Sequence, residues 1–136
     1  MRPGWEIDHI GIAVKNLEEG FKIYETMGWS EFDVEEVPSE KVKVGFIKFE
    51  NNVNVELLEP TTDDSVIAKY LVKRGPGIHH ICYRVKNIEK VMEKLKNEGV
   101  RLLDEKPRRG AHNCKVCFIH PASNNGVLVE LSEKMS

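Results

Sequence analysis

The sequence predicts an α+β fold in which two paired βαβββ modules form a cupped mixed β-sheet around a metal site. Three observations predict it. The segment Asp8-His9-Ile10-Gly11-Ile12-Ala13-Val14 returns as His79-His80-Ile81-Cys82-Tyr83-Arg84-Val85. Val55-Glu56-Leu57 returns as Val129-Glu130-Leu131. The separations nearly agree: His80 follows His9 by 71 residues, and Glu130 follows Glu56 by 74. Each half thus carries one imidazole and one carboxylate at matching places.

Each half opens on an apolar strand, Ile7 to Val14 and then Ile78 to Val85. An amphipathic helix follows each. In the first, Asn16 is placed to cap and Glu19 to complete a reciprocal capping pair. Leu17, Phe21 and Tyr24 hold the helical spacing, and Gly28 suits a left-handed terminus. In the second, Asn87 caps, Ile88, Val91, Met92 and Leu95 form the apolar stripe, and Gly99 ends the helix. Three strands follow in each half. The first set is about 30–36, 42–50 and 53–59, with Asn51-Asn52 turning a hairpin. The second set is about 101–105, 113–120 and 126–132, with Asn124-Asn125-Gly126 as turn residues. Asp63-Asp64-Ser65 starts a short linking helix carrying Val66, Ile67, Tyr70 and Leu71, which Arg74-Gly75-Pro76-Gly77 breaks. The boundaries are module 1 at about 5–60, the linking helix at about 61–75 and module 2 at about 76–134, all within one domain spanning 1–136.

The chain has 136 residues, 40% of them hydrophobic and 31% charged, which supports a core and a polar surface. The net charge of −2 argues against a nucleic-acid binder driven by bulk charge. No apolar run approaches the roughly 20 residues that span a bilayer, and Met1-Arg2-Pro3-Gly4-Trp5 lacks the apolar stretch of a signal peptide. The expected location is the cytoplasm, with no membrane partner. Cys114-Lys115-Val116-Cys117 has C-x-x-C spacing, but on a strand that offset puts the thiols on opposite faces. With no second such pair, buried reduced cysteines are expected.

First strands of matched halves bring His9 and His80 to equivalent positions, and last strands do the same for Glu56 and Glu130. Two imidazoles and two carboxylates suit a divalent metal with open coordination positions. Singly, each has a plain structural alternative: a histidine satisfied in the core, or a carboxylate on the polar side of a strand. As a repeat-related quartet, His9, Glu56, His80 and Glu130 read as metal ligands. Superposing the two strands matches His80 with His9 and Asp8 with His79, so His79 points to the other face. His112 and His120 have no counterpart in the first half, and His120 reads as structural or substrate-flanking.

The paired modules resemble the vicinal oxygen chelate (glyoxalase) superfamily over the whole chain, and within it the methylmalonyl-CoA epimerase family. Both repeated strands carry the resemblance, as do Val55-Glu56-Leu57-Leu58-Glu59-Pro60 and Phe118-Ile119-His120-Pro121-Ala122-Ser123 followed by Gly126-Val127-Leu128-Val129-Glu130-Leu131. The last is the most specific. The resemblance implies an enzyme that interconverts the C2 epimers of methylmalonyl-CoA through a metal-stabilised enolate. It implies a divalent ion, cobalt above all, with nickel, manganese or zinc acceptable to the same donors. It also implies an acyl-CoA substrate and a homodimer. Epimerisation requires proton removal on one face of C2 and delivery on the other, and Glu130 and Glu56 are the expected acid/base residues. Some epimerases carry a glutamate where this chain has Val44. Glu56, a water, Glu40 or Lys43 then remain for the second proton, although Glu40 and Lys43 read as solvated charges. Lys106, Arg108, Arg109 and Lys115 either meet the phosphates of coenzyme A or are solvated.

Glyoxalase I is the close rival, because it resembles this chain in using a His/Glu/His/Glu set. Ala13 and Val14 do not supply the arginine it would need for the glutathione carboxylate. Ring-cleaving dioxygenases use two His and one Glu, and Glu56 would crowd the positions their chemistry needs. Non-catalytic binding modules of the same fold usually lack the ligand set.

Overall fold

The structure, a computed structural model, describes residues 1–135. Its backbone forms two compact units. One is His9–His79; the other joins Met1–Asp8 to residues 80 onward. Eight strands and three α-helices occur among the described residues, as an α+β class requires.

In the unit His9–His79, the sheet runs β2-β3-β4-β1. Its strands are β1 (Glu6–Ala13), β2 (Asp33–Val37), β3 (Val42–Ile47) and β4 (Asn54–Pro60). β1 lies parallel to β4, and the other pairs are antiparallel. Side chains alternate across a strand, so register decides which residues share a face. Gly11 pairs with Glu56, and Glu56 with Phe46. His9, Glu56, Val44 and Phe46 therefore share one face. The opposite face presents Ile12, Val55, Leu57 and Ile47 to helix α1 (Leu17–Met27), which contributes Leu17, Phe21 and Tyr24 to the core. Gly45 lets this helix approach closely: a Cβ there would meet the Phe21 ring at 2.5 Å.

The other unit repeats the plan. Its strands run β5-β8-β7-β6, with β5 (Gly77–Arg84) parallel to β8 (Val129–Lys134), and β7 (Cys114–Ile119) and β6 (Arg108–Arg109) antiparallel beyond. Cys82 pairs with Glu130, and Glu130 with Phe118, so His80, Cys82, Glu130 and Phe118 share a face. The opposite face buries Cys117, Val129 and Leu131 against Ile88 and Met92 of helix α3 (Ile88–Asn97). Arg84 holds the start of β1 in this unit, donating to Asp8 and Glu6 at about 3.0 Å. These carboxylates raise the Arg84 pKa even though burial acts against the charge.

The helix starts show a second layer of the repeat. Asn16 accepts from Glu19 N–H and Asn87 from Lys90 N–H, as expected. A carboxylate from the sheet serves the first N–H of this helix: Leu17 N–H donates to Glu59 at 2.7 Å. In the other unit, Asn87 N–H and Ile88 N–H donate to Glu133 at 2.7 and 3.0 Å. Glu59 and Glu133 stand three residues after Glu56 and Glu130, on the helix side of β4 and β8. A carboxylate there satisfies orphan N–H groups and meets the positive end of the helix. Glu133→Ala should cost about 1–2 kcal/mol, read as a lower midpoint in urea unfolding with an unchanged slope.

The linking helix α2 (Val66–Arg74) begins where expected, capped by Ser65, whose hydroxyl accepts from Ala68 N–H at 2.9 Å. Before it, Asp64 pairs with Lys41 and accepts from Thr62. The Lys41 hydrogen bond, then that of Thr62, holds the Asp64 carboxyl at about 2 against an ordinary 3.8. A depressed carboxyl contributes stability above the ordinary value and loses it as pH falls through the lowered one. The pair should therefore survive to about pH 3.8 and fail towards about 2. Carboxyl NMR titration of Lys41→Met should show Asp64 returning towards its ordinary value.

Four expected strands are corrected. The strand placed at 42–50 ends at Ile47, and residues 48–53 connect it to β4. The strand placed at 30–36 begins only at Asp33, because the preceding aromatics are used for packing: Phe32 stacks on Phe21 at 4.1 Å and Trp29 meets Tyr24 edge-on. The strand placed at 101–105 is reduced to one bridge, Leu102 to Ile119. There Asp104 takes Phe118 N–H with its side chain, and Pro107, which has no N–H, precedes the two-residue β6. The last strand starts at Val129 rather than Gly126 because the Asn125–Gly126 turn, at φ of 57° and 87°, extends further. No described helix is long and apolar enough to cross a membrane.

Candidate metal centre and active site

All four residues read as ligands are buried polar groups: His9 is 4% exposed, Glu56 7%, His80 5% and Glu130 8%. Burial of a carboxylate or an imidazole without a partner is costly, and each unit supplies the partner internally. His9 Nδ1 lies 3.0 Å from Glu56 Oε2. His80 Nε2 lies 2.9 Å from Glu130 Oε1. The parallel pairing of first strand with last strand creates both contacts.

These distances bear on whether a metal fits. Two donors about 2.1 Å from one ion, at neighbouring corners of an octahedron, lie about 3.0 Å apart. Both pairs show that separation. Imidazole nitrogen with carboxylate oxygen is also a donor set that divalent first-row ions accept. The residues present therefore fit such an ion.

The flanking side chains shape each pair. His80 meets the edge of the Phe118 ring at 5.6 Å and 84°. Phe118 is also the cross-strand neighbour of Glu130, as Phe46 is of Glu56. Val44 is 2% exposed on the Glu56 face, so a hydrocarbon stands near Glu56 on that face. Lys43 pairs with Glu59 and Glu36, which puts it on the helix-bearing face, away from Glu56. Glu40 lies in the short turn Pro38–Glu40.

His79 is kept apart from His80 by strand alternation, and its ring sits edge-on to Tyr70 of the linking helix at 5.0 Å. His120 caps the turn at Pro121, its Nδ1 accepting from Ala122 N–H at 2.9 Å. The basic residues near β6 and β7 go separate ways. Lys115 donates to Glu89 of α3 at 2.9 Å, Arg109 to Asn113 at 2.7 Å, and Arg108 alone of the two strand arginines shares the face of Glu130. The cysteines are free thiols. Cys117 is buried as expected, whereas Cys114 is only half-buried, at the start of β7 and on the other face. Burial, with Asp104 and Glu130 nearby, pushes the Cys117 thiol up to about 12. It stays protonated at neutral pH and is poorly suited to redox chemistry.

Sequence reading did not find Glu59, Glu133 or the position of Arg108. The two glutamates had a signal available, the same 74-residue spacing that joins Glu56 to Glu130.

The profile of the Glyoxalase/Bleomycin resistance protein/Dioxygenase superfamily matches residues 8–118. A mitochondrial methylmalonyl-CoA epimerase of Dictyostelium discoideum is 42% identical over 95% of this chain and 78% of its own length. An ethylmalonyl-CoA/methylmalonyl-CoA epimerase of Cereibacter sphaeroides is 40% identical over 93% of this chain and 96% of its own. Among solved structures, a variant of the Streptomyces coelicolor methylmalonyl-CoA epimerase, in complex with 2-nitronate-propionyl-CoA, matches with a TM-score of 0.88 at 34% identity, covering 96% of this chain and 97% of that one. Two units of one plan, a buried His–Glu pair in each, and similarity along nearly the whole chain lead to one assignment: the chain belongs to the glyoxalase/bleomycin resistance protein/dioxygenase superfamily, in the branch that contains the methylmalonyl-CoA epimerases.

Proposed function

We propose that this protein is a metal-dependent epimerase that interconverts the C2 epimers of methylmalonyl-CoA. The observation that carries the reading is the pair of buried His–Glu contacts, His9–Glu56 and His80–Glu130, each at a spacing suited to neighbouring ligands of one ion. The names and substrate analogue of the relatives support the substrate. In this reading His9, Glu56, His80 and Glu130 hold a divalent ion, cobalt by family resemblance. When bound, the ion supplies Lewis-acid polarisation of the thioester carbonyl, which makes the C2 hydrogen more acidic.

The chain's own groups do the proton work. Glu130 takes the C2 proton on one face and Glu56 returns one on the other, a division that requires each to come within hydrogen-bond reach of C2. Val44 and Phe46 beside Glu56, and Phe118 beside Glu130, restrict water at these carboxylates. The assembly is a homodimer in this reading, checked by light scattering.

The test is to incubate the metal-loaded protein with methylmalonyl-CoA in deuterated water and follow both exchange at C2 and epimer conversion. Exchange with conversion is expected. Its absence with each of cobalt, nickel, manganese and zinc would overturn the reading. Turnover of the methylglyoxal–glutathione adduct instead would favour a lactoylglutathione lyase, and ligand binding with neither metal nor turnover would favour a binding module.

A further inference from the structure

We propose that Arg108 binds an oxyanion of the acyl-CoA and so sets which way round the substrate lies. The inference deepens the acyl-CoA reading above and rests on it.

The register of one sheet supplies the placement. Arg108 pairs with Val116, and Val116 with Ser132; two residues along, Phe118 pairs with Glu130. Arg108 therefore stands on the face that carries His80 and Glu130. Its guanidinium lies over the Phe118 ring at 5.3 Å, and the same ring meets His80 at 5.6 Å. A positive charge is thus held one aromatic ring away from the proposed ligand pair. The stacking is a cation–π contact within the usual range of about 6 Å.

Asp104 fixes the group. One of its oxygens accepts from Arg108 Nε at 3.0 Å, while the other accepts from Phe118 N–H at 2.8 Å. The Asp104 side chain is 12% exposed and the Arg108 side chain 43%, so a largely buried anchor holds a cation that solvent reaches. The planar fork of arginine suits carboxylate and phosphate oxygens.

The repeat supplies an independent argument. Glu35 pairs with Val44 in β2–β3, as Arg108 pairs with Val116 in β6–β7. His9 and His80, Glu56 and Glu130, Val44 and Val116, and Phe46 and Phe118 all match between the units. At the next position outward the match reverses sign, with an acid in one unit and a base in the other. The positive charge is therefore particular to the unit that carries His80 and Glu130, and an anionic group is drawn to it. Its oxyanion can come from the 2-carboxylate of the acyl group or from the phosphates of coenzyme A.

Three ligands distinguish these sources by calorimetry on the full-length metal-loaded protein. Methylmalonyl-CoA has both anions, propionyl-CoA only the phosphates, and the methylmalonyl thioester of N-acetylcysteamine only the carboxylate. Arg108→Met, which keeps a stem to lie on Phe118, should weaken methylmalonyl-CoA binding by about 10- to 100-fold, the range for a hydrogen bond to a charged group. Arg108→Lys should restore part of it. A parallel loss with propionyl-CoA supports the phosphates; a parallel loss with the truncated thioester supports the carboxylate. Salt should weaken binding to wild type more steeply than to Arg108→Met, a readout that a merely structural role would not move. Equal affinities of folded wild type and Arg108→Met for all three ligands would overturn the assignment of Arg108 alone. A wild type that binds no acyl-CoA would overturn the acyl-CoA reading, and this proposal with it.

Discussion

Glu130→Gln should lower epimerisation by about 10²- to 10⁴-fold, the usual contribution of a positioned acid or base. The amide keeps the size of the side chain and can still hydrogen-bond to His80 Nε2, now 2.9 Å from the carboxylate. What it loses is basicity, together with a negatively charged donor for the proposed ion. The two losses separate when bound metal is measured beside turnover. Glu130→Gln loaded with metal and still inactive assigns the loss to proton transfer, whereas restored turnover at high metal concentration assigns it to ligation. Deuterium at C2 gives a finer readout. If Glu130 serves one face of C2, the variant should still exchange the hydrogen of one epimer while conversion stops. Turnover within twofold of wild type would remove Glu130 from the chemistry.

The second large effect separates adjacent histidines. His80→Ala should reduce metal affinity by more than the about 10- to 100-fold typical of losing an outer-sphere partner, and His79→Ala should leave it nearly unchanged. His80 is buried beside Glu130, whereas His79 lies edge-on to Tyr70 on the other side of the strand. His79→Ala should instead cost about 0.5–1.5 kcal/mol of stability, the worth of an aromatic contact. His80→Ala also leaves the buried Glu130 without its imidazole, so calorimetric metal titration belongs beside a melting curve. Loss of metal from His79→Ala alone would refute the ligand assignment.

Much of this was legible because it was written twice. An apolar strand shows its face through alternation, and a duplicated strand repeats the face at a fixed interval. His9 and His80, with Glu56 and Glu130, stood out on that ground, and the structure buries all four in two close pairs. Helix starts were legible too, because Asn16, Ser65 and Asn87 cap through bonds only three residues long.

Other features depend on residues far apart in the chain. Glu59 reaches Leu17 across 42 positions, and Glu133 reaches Ile88 across 45. No local pattern reports such a bond. The residues 101–105 have strand-like composition, yet Asp104 turns its carboxylate onto Phe118 N–H and Arg108, and the ladder stops. Four basic residues looked equivalent as a cluster, but cross-strand register sent Lys115 towards α3 and Arg108 over Phe118.

The sequence alone therefore determined the duplicated plan and singled out the four polar side chains that the structure buries in pairs, because alternation and repetition are properties of the chain's order. Only the tertiary structure decided that each histidine meets the carboxylate of its own half, that sheet carboxylates close the helix ends, and that one arginine lies over Phe118, a ring away from His80. Those outcomes follow from strand pairing, in which a shift of a single residue would send every side chain to the other face.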